Sequence, residues 1–96
     1  ILRPNVIRFL ELAFSDESTD IHIEEVKVSA SSTLVDVTLQ DSGIRRTYDL
    51  IILSIVKDDG TMLFNPSADT KINAGDTVVA VGCYESLVKL GEVLNP

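Results

Sequence analysis

Along residues 2–14, Val6, Ile7, Leu10, Ala13 and Phe14 recur at the 3.6-residue spacing of an amphipathic helix. Pro4 suits its first turn, where a missing N–H leaves no bond unmade. A polar break, Ser15-Asp16-Glu17-Ser18-Thr19-Asp20, reads as a loop. Residues 21–30 then alternate as a strand does, but the parity changes midway. Ile21 and Ile23 fall on one register; Val26, Val28 and Ala30 fall on the other. Period-2 alternation cannot change parity without an extra residue. Either a β-bulge sits at Glu24-Glu25, or both faces of this strand are partly buried.

After a loop over 29–33, Thr38-Leu39-Gln40-Asp41 has the layout of a helix N-terminus: a hydroxyl at the cap and an acid three residues on. Ser42-Gly43 interrupts, and Ile44 to Tyr48 reads as another helical turn. The pattern predicts a short, broken helix over 38–48. Leu50 to Val56 is a near-continuous apolar run, expected of a buried central strand. Asp59-Gly60 before Thr61-Met62-Leu63-Phe64 predicts a hairpin with a two-residue turn, because glycine adopts positive φ without a Cβ clash. Asn65-Pro66 ends that strand, since proline has no N–H for a ladder. A polar connection over 67–76 leads through Ala74-Gly75-Asp76 into a last strand, Thr77–Val81, ended by Gly82. A final helix runs over 85–94, with Leu87, Val88, Leu90 and Leu94 apolar and Glu85 at its positive end.

The order is helix, strand, broken helix, strand, hairpin strand, strand, helix. It predicts an α+β sandwich: one four-stranded, mainly antiparallel sheet with helices packed on one face, preceded by an N-terminal linking helix.

Composition narrows the function. The 96 residues make one domain. An apolar fraction of 45% excludes intrinsic disorder. Fifteen acids against eight bases, net −7, argue against a nucleic-acid polymer as partner, because phosphate neutralisation needs clustered Lys and Arg. A single cysteine, Cys83, rules out a disulfide framework. No run is long enough to span a bilayer and no signal peptide is visible. The opening Ile1 suggests a piece of a longer protein.

Catalytic chemistry is absent from the pattern. His22 stands alone in a strand and reads as a surface residue. Cys83 has no histidine or second cysteine to form a dyad and reads as a small, partly buried side chain. No glycine-rich phosphate loop occurs. The acid pairs Glu24-Glu25 and Asp58-Asp59, and Asp36 with Asp41, read as a solvated acidic surface before they read as a cation site. Arg45-Arg46 is the one adjacent basic pair. It can clamp a phosphate, or it can cap helix carbonyls and pair with acids. The chain therefore reads as a binding or assembly module, not an enzyme.

Several segments together resemble a known family. They are Ile23-Glu24-Glu25-Val26, Thr38-Leu39, Ile44-Arg45-Arg46-Thr47-Tyr48, Asn65-Pro66, Asp69-Thr70, Ala74-Gly75-Asp76-Thr77 and Val81-Gly82. They are similar to the C-terminal lobe of RCK domains, the TrkA-C family, over residues 21–94. Arg3-Pro4-Asn5-Val6 and Phe9-Leu10 resemble the segment that joins a Rossmann-like RCK lobe to this one, which divides the chain into a linking helix and loop (1–20) and the lobe (21–96). The resemblance implies a regulatory, dimerising domain on the cytoplasmic face of the cell membrane. It would be attached to a potassium channel, with the same lobe on an antiporter or other cation transporter, or a free-standing small-molecule-binding domain, as alternatives. It implies a homodimer and, in the full protein, an upstream Rossmann-like lobe and a membrane pore. The implied effector is cyclic di-AMP or a divalent cation, and the implied ligand-binding residues are Ile44, Arg45, Asn65 and Pro66. Asp49 departs from the family, which often has glycine there; Asp tolerates the left-handed conformation better than most residues. Arg46 stands where members that bind cyclic di-AMP commonly have smaller residues, which would crowd the cleft.

Overall fold

The computed structural model describes residues 4–5 and 20–96. Residues 4–5 are helical; the rest of the helix expected over 2–14 lies outside the described residues. Six strands follow: β1 His22–Lys27, β2 Val37–Thr38, β3 Ile51–Val56, β4 Met62–Phe64, β5 Lys71–Ile72 and β6 Thr77–Gly82. Three helices accompany them: α1 Leu39–Ser42, α2 Ile44–Tyr48 and α3 Tyr84–Leu94. The main sheet runs β1-β6-β3-β4, antiparallel throughout. A second ladder, β2 with β5, pairs Val37 with Ile72 and Thr38 with Lys71. It was not predicted, because two-residue strands show no periodicity.

The core lies on one face of the main sheet. Leu87, Leu90 and Leu94, at helical spacing on α3, are buried with Ile52 and Ile55 of β3, Val78 and Ala80 of β6, and Ile44 of α2. Burial of this stripe holds α3 on the sheet, each large aliphatic side chain contributing roughly 1.5–3 kcal/mol.

The parity change in β1 has no bulge behind it. His22 to Lys27 pair one to one with Gly82 to Thr77. Directly opposed residues share a face, so Val26 turns towards the core and Ile23 towards the outer surface; apolar residues on both faces produce the pattern. The bulge lies in β3 instead, where the register with β6 shifts between Ile52 and Ser54. Ile52 and Ile55 are both buried although three positions apart. The extra residue, Leu53, makes that possible. It also explains why Leu50–Val56 reads as continuously apolar.

The broken helix forms as predicted. Thr38 caps α1, its hydroxyl accepting from the Asp41 N–H at 3.1 Å. Gly43, at φ 66°, ends α1 and starts α2, and Asp49 ends α2 at φ 52°. The hairpin differs by one residue. The Lys57 N–H donates to the Thr61 carbonyl and the Gly60 N–H to the Lys57 carbonyl, so the loop is the three residues Asp58-Asp59-Gly60. Gly60 at φ 91° is its left-handed member, the glycine position of a three-residue hairpin.

Candidate functional site

The end of β4 and the short helices meet at the sequence-predicted residues. Asn65 leaves β4 at φ 47°, and its N–H donates to the Leu53 carbonyl at 2.7 Å. The bulge in β3 thus anchors the turn that aims Pro66 towards α2. Pro66 is buried. Its carbonyl accepts a hydrogen bond from Arg45 Nη2 at 3.0 Å. Arg45, Asn65 and Pro66 are brought together. Ile44 is fully buried in the core, so it offers the site a fixed position for Arg45 and no free side-chain surface.

Beyond this contact opens a cleft of about 350 Å³ lined by Leu39, Gln40, Gly43, Arg45, Arg46 and Ala68. Its wall is stitched by backbone bonds, from the Leu39 N–H to the Thr70 carbonyl and from the Gln40 N–H to the Ala68 carbonyl, both 2.9 Å. Leu39, Gln40, Gly43 and Ala68 were missed from sequence; the first three had the broken helix as their only signal, and Ala68, in the connection after Pro66, had none. The cleft combines two guanidinium groups with small and apolar neighbours. Among the described residues no ion pair engages Arg45 or Arg46. Arg45 spends one N–H on Pro66, and a guanidinium carries five. The remainder can hold an anion, and a phosphate above all, through two parallel bonds.

The other candidates lie elsewhere. His22 Nε2 is 3.1 Å from Asp20 Oδ1, and its ring meets Tyr84 edge to face. Cys83 holds the N-cap position of α3 without a side-chain capping bond, its Sγ lying 3.0 Å from Ser86 Oγ. Asp59 accepts from the Thr61 N–H at 2.9 Å, which lowers its pKa below the ordinary 3.8. Among the described residues no cluster of three or more His, Cys, Asp or Glu is arranged to hold a metal ion.

Sheet, helices and cleft define a small two-layer α+β domain with an arginine pair at the end of its hairpin strand. The TrkA-C domain model matches residues 23–90. The chain belongs to that family.

Among its relatives, the K(+)/H(+) antiporter subunit KhtT of Bacillus subtilis is 33% identical over 90 residues, covering 94% of this chain and 52% of that protein. Potassium channel protein 1 of Methanocaldococcus jannaschii is 34% identical over 90 residues, covering 93% of this chain and 26% of that protein. The chain thus spans about half of one relative and a quarter of the other. Among solved structures, the RCK C domain of the potassium transport protein KtrA in complex with cyclic di-AMP matches with a TM-score of 0.73 at 25% identity, covering 92% of this chain and 94% of that one. The RCK_C domain dimer of Streptococcus agalactiae BusR in complex with cyclic di-AMP shares the fold, at a TM-score of 0.69 and 19% identity, covering 76% and 95%.

Proposed function

We propose that this chain is the ligand-sensing, dimerising domain of a potassium-transport protein, and that its effector is cyclic di-AMP held at the Arg45 cleft. The observation that carries the reading is the pairing of Arg45 and Arg46 beside the Asn65-Pro66 turn. In a chain of net charge −7, most of the surface repels a phosphodiester. This cleft attracts one.

The KtrA domain supports the choice of ligand by its likeness. The two relatives support potassium transport as the shared property over either carrier type, since one is an antiporter subunit and the other a channel. In this reading the domain works on the cytoplasmic face. Ligand binding shifts it between two states of unequal affinity, and the shift is passed to a Rossmann-like lobe and membrane pore elsewhere in the full protein.

Calorimetry with cyclic di-AMP tests the assignment. Saturable binding by the unmodified chain, lost in Arg45→Ala with melting retained, supports it. Absence of heat with cyclic di-AMP overturns the ligand. Full-strength binding by Arg45→Ala overturns the site.

A further inference from the structure

The two edges of the main sheet are unlike. β4 offers three residues, Met62–Phe64, with Pro66 just beyond. β1 offers six, His22–Lys27, and among the described residues it pairs only with β6. The Val28 N–H, one step past that ladder, donates to the Asp76 carbonyl. Backbone groups alternate sides along an antiparallel strand, so those of His22, Glu24 and Val26 face β6. Those of Ile23, Glu25 and Lys27 face the open edge, where an added strand can bond them. A groove of about 160 Å³ lies beside this edge, lined by Glu24, Glu25, Val26, Tyr84, Leu87 and Val88. Tyr84 and Val88 stand one turn apart on α3 and are 63% and 40% exposed. We infer that β1 and the first turns of α3 form a docking groove for an extended, basic segment of a partner protein, which joins the sheet as an added strand.

The charges at the groove decide what fits it. Glu24 and Glu25 are exposed, and among the described residues neither is in an ion pair. Directly opposed residues of an antiparallel pair share a face and interact. A Lys or Arg opposite each of these acids therefore meets an unpaired carboxylate. A residue opposite Val26 turns to the same side as Val26 and enters the groove against Tyr84 and Val88, so it is apolar. A second copy of this chain is the wrong occupant. At widest overlap, symmetric pairing of β1 with itself centres on Glu25 and sets that carboxylate opposite its own copy, which is destabilising. The net charge of −7 on each copy adds to the repulsion.

The groove is separate from the arginine cleft. Arg45 bonds to Pro66, just beyond β4, and β1 is the opposite edge strand, three strand spacings or roughly 14 Å away. A docked segment and cyclic di-AMP therefore need not compete, and failure of one assignment leaves the other standing.

Fluorescence anisotropy with the 96-residue chain and a labelled, capped peptide containing Val-Arg-Arg-Val tests this. Saturable binding is expected, with new hydrogen-exchange protection at the amides of Ile23, Glu25 and Lys27. N-methylating every second amide of the peptide should weaken binding on the order of tenfold or more in one of the two possible phases and spare it in the other, because only one edge of the peptide bonds to β1. Replacing Glu24 and Glu25 together by Gln should weaken it comparably with melting retained. No binding, equal loss in both methylation phases, or equal binding of a peptide with glutamate for arginine overturns the inference. So does protection of the three amides in the free chain: at all concentrations it means that the edge is already paired within the chain, and if it rises with concentration the occupant is a second copy.

Discussion

Lys57 Nζ donates to Asp76 Oδ2 at 2.8 Å, joining the end of β3 to the turn that starts β6. The same carboxylate oxygen accepts from the Asn73 N–H at 3.0 Å, and the Asp76 carbonyl accepts from the Val28 N–H at 2.7 Å. Asp76 therefore ties three strands together at one end of the sheet. Its side chain is 4% exposed and that of Lys57 26%. Removing the acceptor leaves the part-buried Asn73 N–H and a partly buried ammonium without partners. Asp76→Ala should cost about 2–4 kcal/mol. Lys57→Met should cost less, about 1–2 kcal/mol, because Lys57 is partly solvated and the carboxylate keeps the Asn73 bond. Urea midpoints check this. Equal losses would mean that the ion pair, not the acceptor, holds the turn.

Two glycines separate backbone strain from steric clash. Gly60 sits at φ 91° with nothing near the place a Cβ would occupy. Gly60→Val should cost about 1–2 kcal/mol through conformation alone. Gly82 lacks a positive φ, but a Cβ there would lie 2.9 Å from the Leu50 Cβ. Gly82→Ala forces β6 away from the start of β3 and should cost about 1–3 kcal/mol by overpacking. Removing the clashing atom distinguishes them: Leu50→Gly, which lacks the Cβ, should relieve part of the Gly82→Ala cost and none of the Gly60→Val cost, read as coupling in thermal melts.

The hairpin also has a pH signature. The Thr61 N–H donates to Asp59 and holds its carboxyl below the ordinary 3.8. A depressed folded-state value means that the stabilisation is present above the unfolded carboxylate value. It is lost as pH falls through the folded value. The group is fully exposed, so the effect is confined to acid pH and to the loop. Carbon-detected NMR titration should give an Asp59 midpoint below 3.8; a midpoint at or above it would remove the Thr61 bond from solution.

Local signals were legible where a single residue type carries the chemistry. Thr38 with Asp41, Gly43, and Asn65-Pro66 each have a role set within a few residues of themselves, and each appears where the pattern placed it. What depends on distant pairing was not legible. The parity change belongs to the pairing of β1 with β6, and the bulge to that of β3 with β6; neither partner can be read from one strand. β2 and β5 are too short for periodicity and exist because they face each other. The site divides the same way. The arginine pair stood out by charge alone. The Leu39, Gln40 and Ala68 wall exists because α1 bonds to the 68–70 segment some thirty residues away in sequence, which no spacing announces.

Arg45 and Arg46 should behave differently, although both line the cleft. Arg45 is oriented by the Pro66 carbonyl, and its planar fork is preset for two parallel bonds. Arg45→Lys keeps the charge but loses both the fork and the tether. It should weaken cyclic di-AMP binding on the order of tenfold, about 1.4 kcal/mol, with little change in salt dependence. Both arginines are exposed, but among the described residues the Arg46 guanidinium has no hydrogen bond to a carbonyl like that of Arg45 to Pro66, so its contribution is chiefly long-range attraction. Arg46→Ala should weaken binding by roughly threefold at low salt and by less near physiological ionic strength, where the screening length is about 8 Å. Calorimetry at two salt concentrations reads both effects. Tighter binding in Arg46→Ala would mean that the side chain crowds the cleft, the expectation raised by its size relative to the family. A loss in Arg45→Lys that disappears with added salt would make Arg45 a point charge and not a fork.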